Sequence, residues 1–433
     1  MYLDIIGVVN MKLSKVFSKA LTATIVMLDD YAFKCSNRIK SSYFTRERAM
    51  GFKDNVLFIL NMINKSLQVE LNNFFEVVLK KDTTISKQAF SVNRQKINPH
   101  AFIELNDRIN QVIYQECDEY ILWNGYRLSA VDGTTLELPN TEELRKEFGY
   151  AQNQRSQVAR AKATCIFDLK NTIVIKSKID RVGTSEREMA KELILDMIKD
   201  SNFKELILFD RGYPSNELIT TLIENKVYFV MRSASNHYIK KINPQKNDQK
   251  IIIKYKNKDY LVRVIKFKLD SGIEEILLTN LFDENYKVED FKALYFMRWG
   301  IEVKYDELKN RLEIENFSGE TKIAIEQDFY ASIYLSNMLE LANQDSDKKI
   351  RQEQEGKEIK YVYKTNSNIL VGSLKDKLIL MLLEKSTRKR HKMYKEIIEK
   401  LSNNRIPIRP NRQNPRPDRM SRSKYRRNRK RSL

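Results

Sequence analysis

Cysteine and histidine are scarce, with three of each in 433 residues. Cys35, Cys117 and Cys165 lie far apart and make neither a disulfide framework nor a zinc-ligand spacing. The histidines are equally scattered, which argues against a histidine-based metal centre. Long apolar runs are missing as well. The longest, 56–63 and 378–383, fall far short of the roughly 20 residues that cross a bilayer. The N-terminus carries Asp4 where a signal peptide needs its apolar stretch, and no basic residue precedes it. No internal repeat stands out. These absences point to a soluble cytoplasmic chain with no membrane partner.

What is present is an ordinary globular composition, 42% hydrophobic, long enough for two or three domains. Lys and Arg number 77 against 57 Asp and Glu, a net charge of +20. Such an excess favours a polyanionic partner, and without membrane features that partner is nucleic acid. The charge is unevenly spread. Residues 405–433 hold twelve Lys and Arg against one acid, Asp418, and four of the eight prolines. A tail of that composition buries no core and is expected to stay disordered until it meets a polyanion.

Residues 1–120 carry apolar positions at helical spacing, such as Val56, Ile59, Leu60, Ile63 and Leu67, and no strand pattern. Within them, Thr84 or Ser86 is placed to cap a helix over 87–97 that stops before Asn98-Pro99. Its Lys87 and Arg94 suit the recognition helix of a helix-turn-helix unit, and equally a packed helix with a solvated basic face. From 121 the character changes. Strands are expected at 128–131, 158–168, 172–180, 206–209 and 227–231, with helices at 186–198 and 215–225. Hairpins follow over 251–281, then a long helix from near Glu289 past Lys309, and more helix over 322–401. Three antiparallel strands followed by helix, strand, helix and strand is the order of a ribonuclease-H-like sheet flanked by helices. The expected fold is therefore mixed α+β. Its segments are a helical DNA-binding region at 1–120, the first part of the core at 121–232 and a β-rich insertion at 233–285. A closing helix at 286–320, a helical region at 321–404 and the basic tail complete the chain.

Asp132 and Asp210 each sit where an apolar strand run stops. Neighbouring strands lie about 4.8 Å apart, so two such carboxylates can share a divalent cation. A third element is the stretch 295–309. Tyr295, Arg298, Glu302 and Lys309 follow at offsets that, at about 100° per residue, fall within roughly 60° on one helix face. A phenol, a guanidinium, a carboxylate and an ammonium make a poor core face and a good wall for a phosphate backbone beside a metal. Spaced surface ion pairs would have the same pattern. Asp306 and Glu313 fall near the same stripe, and spacing alone leaves Asp306 open as a third carboxylate. Arg211, in the run Asp-Arg-Gly-Tyr from Asp210, is a further candidate DNA contact. Glu186 and Glu188 open a helix, where acids favour its dipole, and read as structural.

The signature Y-x2-R-x3-E-x6-K, preceded by Asp-Gly-Thr at one strand end and Asp-Arg-Gly-Tyr at another, resembles the cut-and-paste DDE transposases of bacterial insertion sequences. The match is to the group called insertion-sequence family four, over roughly 128–320. The resemblance implies a ribonuclease-H-like catalytic core interrupted by a β-rich insertion between Asp210 and the Glu. It selects Glu302 over Asp306, with Asp132, Asp210 and Glu302 holding two Mg²⁺ or Mn²⁺ ions. Tyr295, Arg298 and Lys309 would grip phosphates of the element's terminal nucleotides. It further implies strand nicking, a hairpin closed and reopened, and joining to target DNA by a homodimer at the bacterial nucleoid. An aromatic side chain holding a flipped base is expected in the insertion, where Tyr238, Tyr255 and Tyr260 are candidates. A hydrolysis-only nuclease on the same fold, or a silent DNA-binding regulator descended from a transposase, are the alternatives.

Overall fold

The computed structural model describes residues 15–46, 48–61, 65–117, 119–152, 157–234, 238, 241–269 and 271–409. Ile63, the stretch 1–14 and the tail beyond residue 409 lie outside the described residues. The chain divides into two compact units, one formed by Met1–Glu119 with Tyr334–Leu433 and the other by Tyr120–Ile333.

The first unit is helical throughout its principal elements. Lys15–Asp29, Phe52–Leu60, Lys87–Arg94 and His100–Gln111 come from the N-terminal side, Ser367–Leu383 and Thr387–Asn403 from the C-terminal side. Apolar faces drive this association of distant segments. Phe17 stacks on Tyr394 with ring centroids 4.0 Å apart, and Phe58 meets Phe74 and Phe90 edge to face. Two buried polar links tie in the helix Lys322–Gln354: Thr24 Oγ1 lies 3.0 Å from Tyr334 OH, and Asn337 donates to Asn106 at 2.7 Å. Both are satisfied, as buried polar groups must be.

The second unit is built on one nine-stranded sheet. Its strands are β1 (Tyr126–Glu137), β2 (Tyr150–Gln152), β3 (Gln157–Asp168), β4 (Ile173–Arg181), β5 (Lys204–Phe209), β6 (Tyr228–Ser233), β7 (Asp248–Tyr255), β8 (Lys258–Lys268) and β9 (Glu274–Thr279). The spatial order is β2-β3-β1-β5-β6-β9-β8-β7, with β4 on β3. β1 runs antiparallel to β3 and parallel to β5, and β5 runs parallel to β6. The helices Glu186–Lys199 and Asn216–Glu224 are the crossovers that parallel pairing requires. The expected strand and helix order is thus observed over 126–233, with a short helix, Glu142–Phe148, and β2 added after β1.

Two elements differ from expectation. The strands of 233–285 do not stand apart as a subdomain: β9 pairs antiparallel with β6, and β8 and β7 follow in the same sheet. Without β9, β6 would end the sheet with an unpaired backbone ladder, an arrangement proteins cover or blunt. Ile251, Val262, Val264 and Leu278 therefore share one core with Val131, Phe209 and Met231. The second difference is at 289–309, where the single long helix is two helices, Val288–Phe296 and Trp299–Asn310. Between them Arg298 N bonds to Tyr295 O at 3.1 Å and Gly300 N to Met297 O at 3.0 Å, the three-residue spacing of a tightened turn. Gly300 packs close here, since a Cβ on it would lie 2.9 Å from Leu169 Cδ2.

Candidate active site

The site begins with strand register. β1 and β5 pair in parallel up to Val131 opposite Phe209. Asp132 and Asp210 are the next residues, Asp210 just past the end of β5, so the two follow directly on paired positions of neighbouring strands. β1 itself continues to Glu137, held by β3, with Asp132 opposite Cys165. Asp132 is therefore not at a strand terminus; it is at the point where β1 loses its β5 neighbour. Tyr305 fixes that point from the helix Trp299–Asn310, its hydroxyl donating to Asp132 O at 2.8 Å.

The same helix supplies the third acid. Glu302 accepts from Arg298 Nη2 at 2.6 Å. Burial raises the Asp132 carboxyl to about pH 6; Arg298 opposes the rise, and Asp210 and Glu302 add to it as like charges. Burial likewise pushes Tyr295 well above its ordinary value, with Asp210 reinforcing and Arg298 opposing. Burial works against the charge on Arg298, but Tyr295, Glu302 and Asp210 prevail and raise its pKa. Asp132 thus lies in the field of Arg298, Asp210 and Glu302, and Arg298 in that of Tyr295, Glu302 and Asp210. Lys309, further along the helix, donates to Thr134 Oγ1 at 2.7 Å and Thr135 O at 2.9 Å, just beyond Asp132 on β1.

The remaining candidates are placed as follows. Asp306 is exposed and accepts from Asn310 at 2.5 Å, and it is not among the groups that act on Asp132. Glu313 sits in a left-handed turn after the helix. Arg211 and Lys87 are exposed. Arg94 is not available to DNA: it is 2% exposed, with its guanidinium 5.5 Å from the Phe90 ring centre, because it lies on the packed face of its helix. Ser86 caps that helix through Ala89 N. Tyr238 and Tyr260 are bound into their surroundings, by Asn216 at 2.5 Å and Glu224 at 2.6 Å.

Three features escaped the sequence. Glu186 lies against Gly133, where a Cβ would come within 2.8 Å of its Cδ, and Lys162 pairs with it at 3.2 Å. Tyr213 is 2% exposed with no hydrogen-bond partner for its hydroxyl among the described residues. Phe296, Trp299 and Val303 are each more than half exposed, an apolar strip one residue out of step with Tyr295, Arg298 and Glu302. Only the glycine after Asp132 hinted at any of these, as a place of close approach.

Among the described residues, no three acid, histidine or cysteine side chains stand close enough to enclose a metal ion. The donor chemistry nevertheless fits one. Carboxylate oxygens suit Mg²⁺ and Mn²⁺, and Mg²⁺ is ordinarily held by one or two carboxylates with water and substrate phosphate rather than by a closed protein cage.

Residues 123–338 match the family model described as Transposase DDE domain. This stretch is similar to transposase DDE domains. The matched stretch contains Asp132, Asp210 and Glu302. Among solved structures, the chain is similar to piggyBac transposase in a cryo-EM synaptic complex with hairpin DNA. The identity is 11% and the TM-score 0.43, over 88% of this chain and 84% of that one. A comparison with curated protein sequences finds no match. No helix among the described residues is long and apolar enough to cross a membrane.

Proposed function

We propose that the chain is a cut-and-paste transposase of the insertion-sequence family-four group, with a ribonuclease-H-like core, acting at the ends of its own element in the bacterial nucleoid. The observation that supports this most is the meeting of Asp132, Asp210, Glu302, Arg298 and Tyr295 inside a DDE domain. Asp132, Asp210 and Glu302 would hold two Mg²⁺ or Mn²⁺ ions, which when bound activate an oxygen nucleophile and offset charge on the phosphate. Tyr295, kept protonated by its burial, donates to a phosphate oxygen. Arg298, kept charged, binds phosphate and steadies Glu302. Lys309 supplies a point charge beyond Asp132, and Arg211 and Lys87 are the exposed cations we assign to DNA.

The reaction is a series of in-line displacements. Water attacks the phosphodiester at the element end, and the bond broken leaves a 3′-hydroxyl. That hydroxyl attacks the opposite strand, closing a hairpin and releasing flanking DNA, and a second water reopens it. The freed 3′-hydroxyl then attacks target DNA. Two ends require two protomers, hence a homodimer on DNA.

The test is strand joining. Pre-cut element-end duplex, supercoiled plasmid and Mg²⁺ are incubated with the protein, and plasmid covalently linked to the duplex is expected. Cutting without joined product would instead favour the hydrolytic nuclease, and tight binding without cutting the silent regulator.

A further inference from the structure

The helix Thr387–Asn403 divides sharply into two faces. Tyr394, Ile397, Ile398 and Leu401 are at most 2% exposed, and Tyr394 is locked twice, by its stack on Phe17 and by its bond to Asp345 at 2.5 Å. On the other face Arg388, Lys389, Lys392 and Lys395 are exposed. At about 100° per residue, Arg388, Lys392 and Lys395 line up within roughly 60°, opposite the buried face, with Lys389 beside them.

These four cations have no ion-pair or hydrogen-bond partner for their side chains among the described residues. The contrast within one helix is instructive. Its acids are engaged, Glu396 by Lys377 at 3.0 Å and Glu399 by Lys349. The stretch 385–395 holds six cations and no acid. Cations at this spacing repel one another. Arg388 and Lys389 also sit in the first turn of the helix, where the macrodipole disfavours positive charge. Charge left uncompensated on both counts is stabilised by an external polyanion. A lipid surface is a poor fit, because membrane binding by a basic helix needs an apolar face to insert, and this one is committed to the protein core.

We propose that Arg388, Lys389, Lys392 and Lys395 form a DNA-docking surface, separate from the acid cluster, that grips the phosphate backbone of a duplex without reading its sequence. It rests on the reading of DNA as the substrate. In sequence it leads within ten residues into 405–433, whose twelve Lys and Arg extend the same chemistry.

The test compares full-length wild type with the variant Arg388→Gln/Lys389→Gln/Lys392→Gln/Lys395→Gln, glutamine keeping helix propensity. Binding to a random-sequence duplex is followed by fluorescence anisotropy between about 50 and 200 mM salt. Each lost phosphate contact lowers the slope of log K against log salt by about 0.9, so a fall of roughly 3–4 is expected, with affinity down at least about tenfold. The unfolding midpoint should hold or rise as repulsion is relieved. A second variant, Lys389→Arg/Lys392→Arg/Lys395→Arg, should keep the wild-type slope. An unchanged slope in the glutamine variant, while wild type binds and cuts, overturns this surface alone. A wild type that binds no duplex overturns both this surface and the transposase reading.

Discussion

Asp132→Asn is expected to lose strand cleavage by on the order of 10³-fold or more while gaining stability. The substitution keeps the shape and removes one charge. That charge is costly to the fold: burial, Asp210 and Glu302 all oppose it, and Arg298 only partly compensates. A carboxyl raised to about 6 in the folded state is penalised when ionised. The penalty is absent at pH well below its unfolded value near 4, grows between there and about 6, and is fully present above. At pH 7.5 the asparagine variant should therefore unfold with roughly 1–3 kcal/mol more stability than wild type. A residue kept only for structure would move both quantities downward. Cleavage lost with stability gained is the signature of a charge retained for function. Unfolding curves and cleavage of an element-end duplex read the two quantities separately. Loss of stability together with activity would place Asp132 in the scaffold instead.

Breaking the pair Arg127–Glu205 should cost about 3–5 kcal/mol of stability. The two lie opposite each other on β1 and β5 in the register that ends at Val131 and Phe209. Their side chains are 5% and 3% exposed. Arg127 Nε donates to Glu205 Oε2 at 3.1 Å, a second bond closes the fork, and Ser201 Oγ donates to the same carboxylate at 2.5 Å. The guanidinium lies 4.9 Å from the Phe203 ring centre. Glu205→Gln leaves a buried cation without its counter-charge, and Arg127→Met leaves a buried carboxylate. The double variant Arg127→Met/Glu205→Leu strands neither charge and should recover most of the loss. Denaturant unfolding of all three measures the coupling. A single-variant cost below about 1 kcal/mol would mean that water reaches the pair. The consequence extends to the site, because a one-residue slip between β1 and β5 would turn Asp132 away from Asp210.

The parts of this site legible in sequence were those set by local rules. Uninterrupted apolar runs marked β1 and β5, and the acid after each run marked where their pairing ends. Ser86 as a cap followed from side-chain chemistry. What escaped depends on partners distant in sequence. The tightened turn between Phe296 and Trp299 has no proline to announce it, and its Gly300 is read only against Leu169. Arg94 looked like a surface cation because composition does not say which face of a short helix packs. The strands of 233–285 carried the right alternation, but nothing local says that β9 would seal the edge of β6. The exposed strip of Phe296, Trp299 and Val303 reads in sequence as ordinary core, since apolar spacing is the same whether or not a partner covers it.

In the proposed function Asp132, Asp210 and Glu302 form one metal-dependent cutting site. Its most direct test is cleavage of an end-labelled duplex carrying the flanking element end, in Mg²⁺, by wild type, Glu302→Ala and Asp306→Ala. Wild type and Asp306→Ala are expected to give nicked or hairpin product, abolished by chelator, and Glu302→Ala none. Undiminished cutting by Glu302→Ala, or loss of cutting in Asp306→Ala alone, would contradict it.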